Sequence, residues 1–129
     1  MNKKGFTLLE LVTVIIIVGI LAAAGVPLYL NYVEDAKIAR AKATIDALYS
    51  AERVHYQKNQ SYWSASGAGQ NDIQNNLGIK IDPSIDNDWT FDLTPYGSSN
   101  QFISITANGQ NNSNGLTTTF DSQSGTFTN

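Results

Sequence analysis

From Leu11 to Leu30 the chain carries no Asp, Glu, Lys, Arg or His. Twenty helical residues at ~1.5 Å each cover ~30 Å, the hydrocarbon thickness of a bilayer. Such a run excludes a purely cytosolic globular protein and leaves only the remainder of a 129-residue chain to build a soluble core. Lys3 and Lys4 stand just before it, and basic flanks stay cytoplasmic, so the chain starts inside and residues from 31 onward lie outside. Charged residues are 15% of the whole, against roughly 25% in an ordinary soluble protein. The net charge of -3 argues against binding nucleic acid by bulk electrostatics. With no Cys there is no disulfide, Cys-ligated zinc or thiol nucleophile.

Four segments follow from composition: a basic leader (1–5), an apolar segment (6–30), an amphipathic segment (31–58) and a polar remainder (59–129). From Phe6 to about Lys58 the pattern reads as one long helix, interrupted only by Gly19, Gly25 and Pro27. Its first half is apolar all round, and Tyr29 and Tyr32 fall where an interfacial aromatic belt would lie. In its second half Ile38, Ala41, Ile45, Leu48, Tyr49 and Tyr56 recur at helical spacing and form one stripe. Glu52 falls within that stripe, so it requires a partner. Lys58 and Asn59 are the stop signals.

After Asn59, Asn, Ser, Thr, Gly and Gln dominate and the periodicity shortens. Asn71–Gln74 with Leu77–Gly78 reads as a capped turn of helix with a Gly stop. Trp89, Phe91 and Leu93, then Ile103, Ile105 and Ala107, then Leu116, Thr118 and Phe120 occupy alternate positions, as strands with one apolar face do. The turn signals are Pro95 with Gly97, Asn108-Gly109, Asn114-Gly115 and Ser124-Gly125 before Phe127. The pattern predicts an α+β fold, a long N-terminal helix covering the apolar face of a small antiparallel sheet.

Glu10 is the most informative residue. It sits at the mouth of the uncharged span, where an ionised side chain costs up to ~2.5–3.5 kcal/mol at mid-bilayer. No cation follows it before Lys37. The remaining candidate is an α-amino group freed by cutting the chain after Gly5, which would make Phe6 the new N-terminus. Residues 6 and 10 lie ~6 Å apart along a helix axis, so a neighbouring copy shifted by one turn brings its Phe6 amine to this Glu10. Pairing removes two charges that would each cost several kcal/mol alone. Gly19 and Ala23 form a small-xxx-small pair that lets helices approach closely, and Gly25 and Pro27 mark a place to bend.

The string Lys3-Lys4-Gly5, Phe6-Thr7-Leu8-Leu9-Glu10 and the apolar run to Leu30 resembles the prepilin signature of type IV pilins and type II secretion pseudopilins. The resemblance implies cleavage after Gly5 by a membrane aspartyl prepilin peptidase and N-methylation of Phe6 by the same enzyme. It also implies self-polymerisation of the long helices, with Glu10 meeting the Phe6 amine of an adjacent subunit. An assembly ATPase, a platform protein and a secretin are the implied machinery, and the inner membrane holds the subunit beforehand. A surface pilus serving adhesion, motility or DNA uptake is the leading expectation, and a pseudopilus driving protein export is the alternative. Many major pilins of this family pin the C-terminal region with a disulfide, which this chain lacks.

Other readings fit less. A secretory signal peptide would use Ala22-Ala23-Ala24, but Glu10 interrupts its apolar core and no break precedes the amphipathic helix. A secreted or anchored periplasmic binding module leaves Gly5-Phe6 and Glu10 without a purpose. His55 has no second ligand beside it in sequence. Asp82, Asp86, Asp88 and Asp92 lack the Gly and terminal Glu of an EF-hand loop and read as solvated loop charges. Asn59-Gln60-Ser61 and Asn111-Asn112-Ser113 match the glycosylation triplet in an Asn-rich context and are assigned no role. No catalytic set, cofactor cradle or metal quartet is recognisable, so no enzyme activity, cofactor or metal is expected.

Overall fold

The computed structural model describes residues 5–129, so Lys3, Lys4 and the rest of the leader before Gly5 lie outside it. Helix α1 spans Leu8–Asn59 and is unbroken at Pro27. The chain forms two compact units, one ending at Val33 and one running Glu34–Asn129. In the first, the described helical residues are solvent-exposed apolar side chains almost throughout, and the helix is long and apolar enough to cross a membrane. The helix begins at Leu8 rather than at the expected Phe6, because Thr7 caps it.

In the second unit, α1 is followed by β1 (Ala65–Ala68), α2 (Gln70–Leu77), α3 (Pro83–Asp88), β2 (Trp89–Tyr96), β3 (Phe102–Gly109), a 3-10 turn at Asn111–Ser113, β4 (Thr117–Asp121) and β5 (Thr126–Thr128). The five strands form one antiparallel sheet in the order β1-β2-β3-β4-β5. This is the anticipated α+β, pilin-like arrangement of a long helix on a small antiparallel sheet.

The core forms where the α1 stripe meets the inner sheet face. Ala41, Ile45 and Leu48 pack with Trp89, Phe91, Leu93, Ile103, Ile105 and Ala107, while Ile73 of α2 and Ile85 of α3 close the side. Ile38 and Tyr49 lie half-buried at its margin. Tyr49, Phe120 and Phe127 stack in series with ring centroids 5.0 and 5.1 Å apart. Leu48 is wholly buried at the centre. Leu48→Ala should therefore lower stability by about 2–5 kcal/mol, read as a reduced denaturant midpoint at unchanged slope.

Three α1 cations each hold a different part of this unit. Lys37 Nζ donates to the Asn112 carbonyl in the 3-10 turn. Arg40 donates to Ser84 Oγ (2.6 Å) and lies 3.8 Å from the Asp82 carboxylate at α3. Lys42 sits 5.4 Å from the Phe127 ring centroid in β5. Arg40 and Asp82 are exposed, so Arg40→Ala should cost no more than about 1 kcal/mol, measured by chemical denaturation.

Several local expectations change. Pro95 is not in a turn but pairs with Ile103 inside the β2–β3 ladder. Ile103 spends its own N–H and C=O on Ser122, so the Pro95 nitrogen points away from β3, beyond the reach of β1. The chain reverses instead at Gly97 and Asn100, both at positive φ (92° and 51°). Asn108-Gly109 likewise stays within β3, opposite Thr90 and Trp89. The reversal follows at Asn111–Gly115, where Asn111 and Gly115 have φ of 45° and 85°. The anticipated single turn near Asn71 is the eight-residue α2, started at Gly69 and stopped by Gly78 in the left-handed region.

Candidate functional site

The residues singled out for processing and assembly lie in the first unit. Gly5, Phe6 and Thr7 precede the helix in irregular backbone, and all three are exposed. Phe6 is 85% exposed. The Gly5–Phe6 peptide is thus exposed and lies outside the helix.

Thr7 and Glu10 make a capping box. The Glu10 N–H donates to Thr7 Oγ1 (3.2 Å), and Glu10 Oε2 accepts from both the Thr7 N–H (2.8 Å) and the Thr7 hydroxyl (2.8 Å). The Leu11 N–H donates to the Thr7 carbonyl (3.2 Å). Free N–H groups at a helix start are thereby satisfied, an arrangement worth ~1 kcal/mol. The negative carboxylate also stands where the helix dipole is positive. Glu10 is therefore occupied within its own chain, a role for which the Thr-x-x-Glu spacing is the signal. The charge of Glu10 in an apolar span masks this second signal, which lies in Thr7.

Further along, Gly19 and Ala23 are one turn apart on one exposed face of α1. A side chain built at Gly19 or Gly25 would meet nothing within 4 Å in this single chain. The Thr13 hydroxyl folds back onto the Leu9 carbonyl (2.8 Å), hiding a polar group that would otherwise face an apolar medium.

The other candidates resolve into local structure. His55 Nδ1 meets the Ser61 carbonyl at 2.9 Å. The four aspartates are not free loop charges but acceptors for backbone and amide N–H groups that lack other partners. Asp82 caps α3 through Ser84 N–H (2.8 Å), and the Ser84 hydroxyl with it holds the carboxyl below its usual range. Asp86 accepts from Gln70 N–H (2.6 Å). Asp92 bridges Gly67 N–H and Asn108 Nδ2, both at 2.7 Å, and Asp88 accepts from Asn87 and Asn112. Among the described residues no group of three or more His, Cys, Asp or Glu is placed to hold a metal ion.

Glu52 is wholly buried, and its partner is the Trp63 N–H, which donates to Oε2 at 3.0 Å. Burial, opposed by that hydrogen bond and by the nearby His55, pushes its pKa up to about 7.

Residues 1–26 match the family described as the prokaryotic N-terminal methylation motif. The chain is 36% identical over 61 residues to the type IV major pilin protein PilA of Myxococcus xanthus, covering 47% of this chain and 28% of that protein. It is 35% identical over 77 residues to a fimbrial protein of Pseudomonas aeruginosa, covering 60% and 49% respectively. With the type IV major pilin protein PilE of Neisseria gonorrhoeae it shares 43% over 61 residues, 47% of this chain and 36% of the relative. The chain thus spans less than half the length of these relatives. No solved structure matches it significantly. The chain thus carries the prokaryotic N-terminal methylation motif and, over its N-terminal half, is similar to type IV pilins and fimbrial proteins.

Proposed function

We propose that this chain is a structural subunit of a type IV pilus, held in the inner membrane as a precursor and then polymerised through its N-terminal helix. The observation that carries the reading is the Gly5–Phe6 bond, exposed and outside the helix, with Glu10 one turn further on and an exposed apolar surface behind it. In this reading residues 1–5 are a leader removed by a prepilin peptidase, which also methylates Phe6. Residues 6–30 anchor the precursor with its N-terminus cytoplasmic and later form the filament core. Residues 31–58 are the amphipathic half of the helix, and 59–129 are the head.

Lipid and filament interior are both apolar, so the helix moves between them without a large change in desolvation. Glu10 of one subunit meets the Phe6 amine of the next, while Gly19, Ala23, Gly25 and Pro27 serve close packing and bending. The assembly ATPase, platform protein and secretin are the machinery such a subunit needs. The role is structural rather than enzymatic. The matched relatives are named as pilins and fimbrial proteins, which favours a surface pilus over a secretion pseudopilus.

Mass spectrometry of subunits from purified filaments tests this. The expected N-terminal peptide begins at Phe6 and carries one extra methyl group. A subunit that retains Met1, or that begins after Ala24 as a secreted protein would, overturns the proposal.

A further inference from the structure

Glu52 presents a problem that pilus assembly does not use. Its side chain is fully buried, Oε2 has one donor, and Oε1 has none. A buried carboxylate oxygen without a partner is costly when charged and tolerable when protonated.

The donor belongs to the segment that joins α1 to the sheet, whose Tyr62, Trp63 and Ala65 are only partly buried against the core. Residues 60–64 leave α1 through Gln60, at φ 56°, and lead into β1, the outermost strand of the sheet. β1 makes two registered pairings with β2, Ala65 with Leu93 and Ala68 with Phe91, separated by an irregularity. Gln60 continues the helix ladder onto the Tyr56 and Gln57 carbonyls, and beyond it the segment meets α1 through Trp63 N–H on Glu52, the Ser61 carbonyl on His55, and the Tyr62 ring 4.7 Å from Tyr56. The His55 contact requires the imidazole to donate from Nδ1, because a carbonyl only accepts.

We infer that residues 60–68 form a proton-operated strap, closed on the helix when Glu52 is protonated and loosened when it is ionised. The ionisable group that acts on the Glu52 charge is His55 on its own helix, and Glu52 in turn acts on Tyr62 of the strap together with Tyr49, Tyr56 and Arg53 of the helix. The sheet turns only uncharged side chains toward the core, with Asp92 and Asp121 at the alternate, outward positions. His55 is the nearby group that tempers the charge.

The direction follows from linkage. A carboxyl titrating near 7 when enclosed and near 4.5 when released binds its proton more tightly in the closed state. Closure is therefore favoured most below 4.5, and the advantage is lost as pH rises through about 7. Loosening would uncover the β2 edge and the Tyr56–Tyr62 contact on the head, so the edge of the sheet becomes sensitive to the acidity outside the membrane.

The test is amide hydrogen exchange of the full chain in detergent micelles, corrected for the intrinsic pH dependence of exchange. The opening constant at the Trp63 amide should rise on the order of 100-fold from pH 4.5 to pH 8, while Ile105 in the sheet centre stays protected. In Glu52→Gln the rise should vanish, and in His55→Gln it should persist. A flat profile in the wild type, or a rise that survives in Glu52→Gln, overturns the proposal. If Glu52→Gln fails to fold, carbon-13 titration of the wild-type Glu52 carboxyl decides. A midpoint near 7 supports the strap, and one near 4.5 refutes it.

Discussion

Cells making Glu10→Val should insert and cut the precursor normally yet yield about a hundredfold fewer filaments, counted by electron microscopy and by sheared-fibre blots. In the proposed filament the valine would leave the Phe6 amine of each neighbour in an apolar interface without its counter-charge. At ~3 kcal/mol for an uncompensated charge and tenfold in association per ~1.4 kcal/mol, a loss of about two orders of magnitude follows. Glu10 also caps its own helix through Thr7, so valine removes two interactions at once. Glu10→Gln separates them, since its amide oxygen can still accept from the Thr7 N–H and hydroxyl while the charge is gone. Filaments should be nearly as scarce in Glu10→Gln as in Glu10→Val. Normal filament yield in Glu10→Gln would reassign the residue to capping alone.

Gly109→Ala should be the most damaging single methyl in the head. A Cβ at Gly109 would fall 1.9 Å from the Ser113 carbonyl oxygen and 2.8 Å from that of Leu116. Both obstacles are backbone, and neither can rotate aside. The Gly109 N–H donates to the Leu116 carbonyl at 2.8 Å, so moving the strand away also breaks the β3–β4 corner. A loss of at least ~3 kcal/mol is expected, in the upper tail for point substitutions and a large part of a small domain's stability. Chemical denaturation of the detergent-solubilised chain measures it. By contrast, an alanine at Gly19 or Gly25 meets no atom in the isolated chain, so any defect there should appear in assembly rather than folding.

Much of this architecture is legible from periodicity. The helical stripe and the three alternating runs name most of the core, because burial of one face leaves a regular mark on the residues that share it. β1 leaves no such mark, since Ala-Ser-Gly-Ala offers no large apolar residue at alternate positions. α3 is only six residues long and depends on Asp82 for its start. Asn108-Gly109 misleads because that glycine is there to let two backbones approach, not to reverse the chain. At the N-terminus the charge of Glu10 stands out against the uncharged span that follows it. The Thr7 cap is equally written in the spacing but is hidden by reading Glu10 for its charge alone. The partner of Glu52 was not readable, because it is a backbone N–H eleven residues on, and a main-chain donor has no letter of its own.

Every strand of the sheet pairs with the strands next to it in the chain, and no connection crosses over another. Such an order lets the β2–β3 hairpin close first and recruit β4 and β5 by zippering across short loops, while β1 joins through the longer connection that carries α2 and α3. Without cysteine there is no thiol oxidation or reshuffling to wait for. A head built this way reaches its final shape without help from oxidoreductases, so its folding is independent of the redox state of its surroundings.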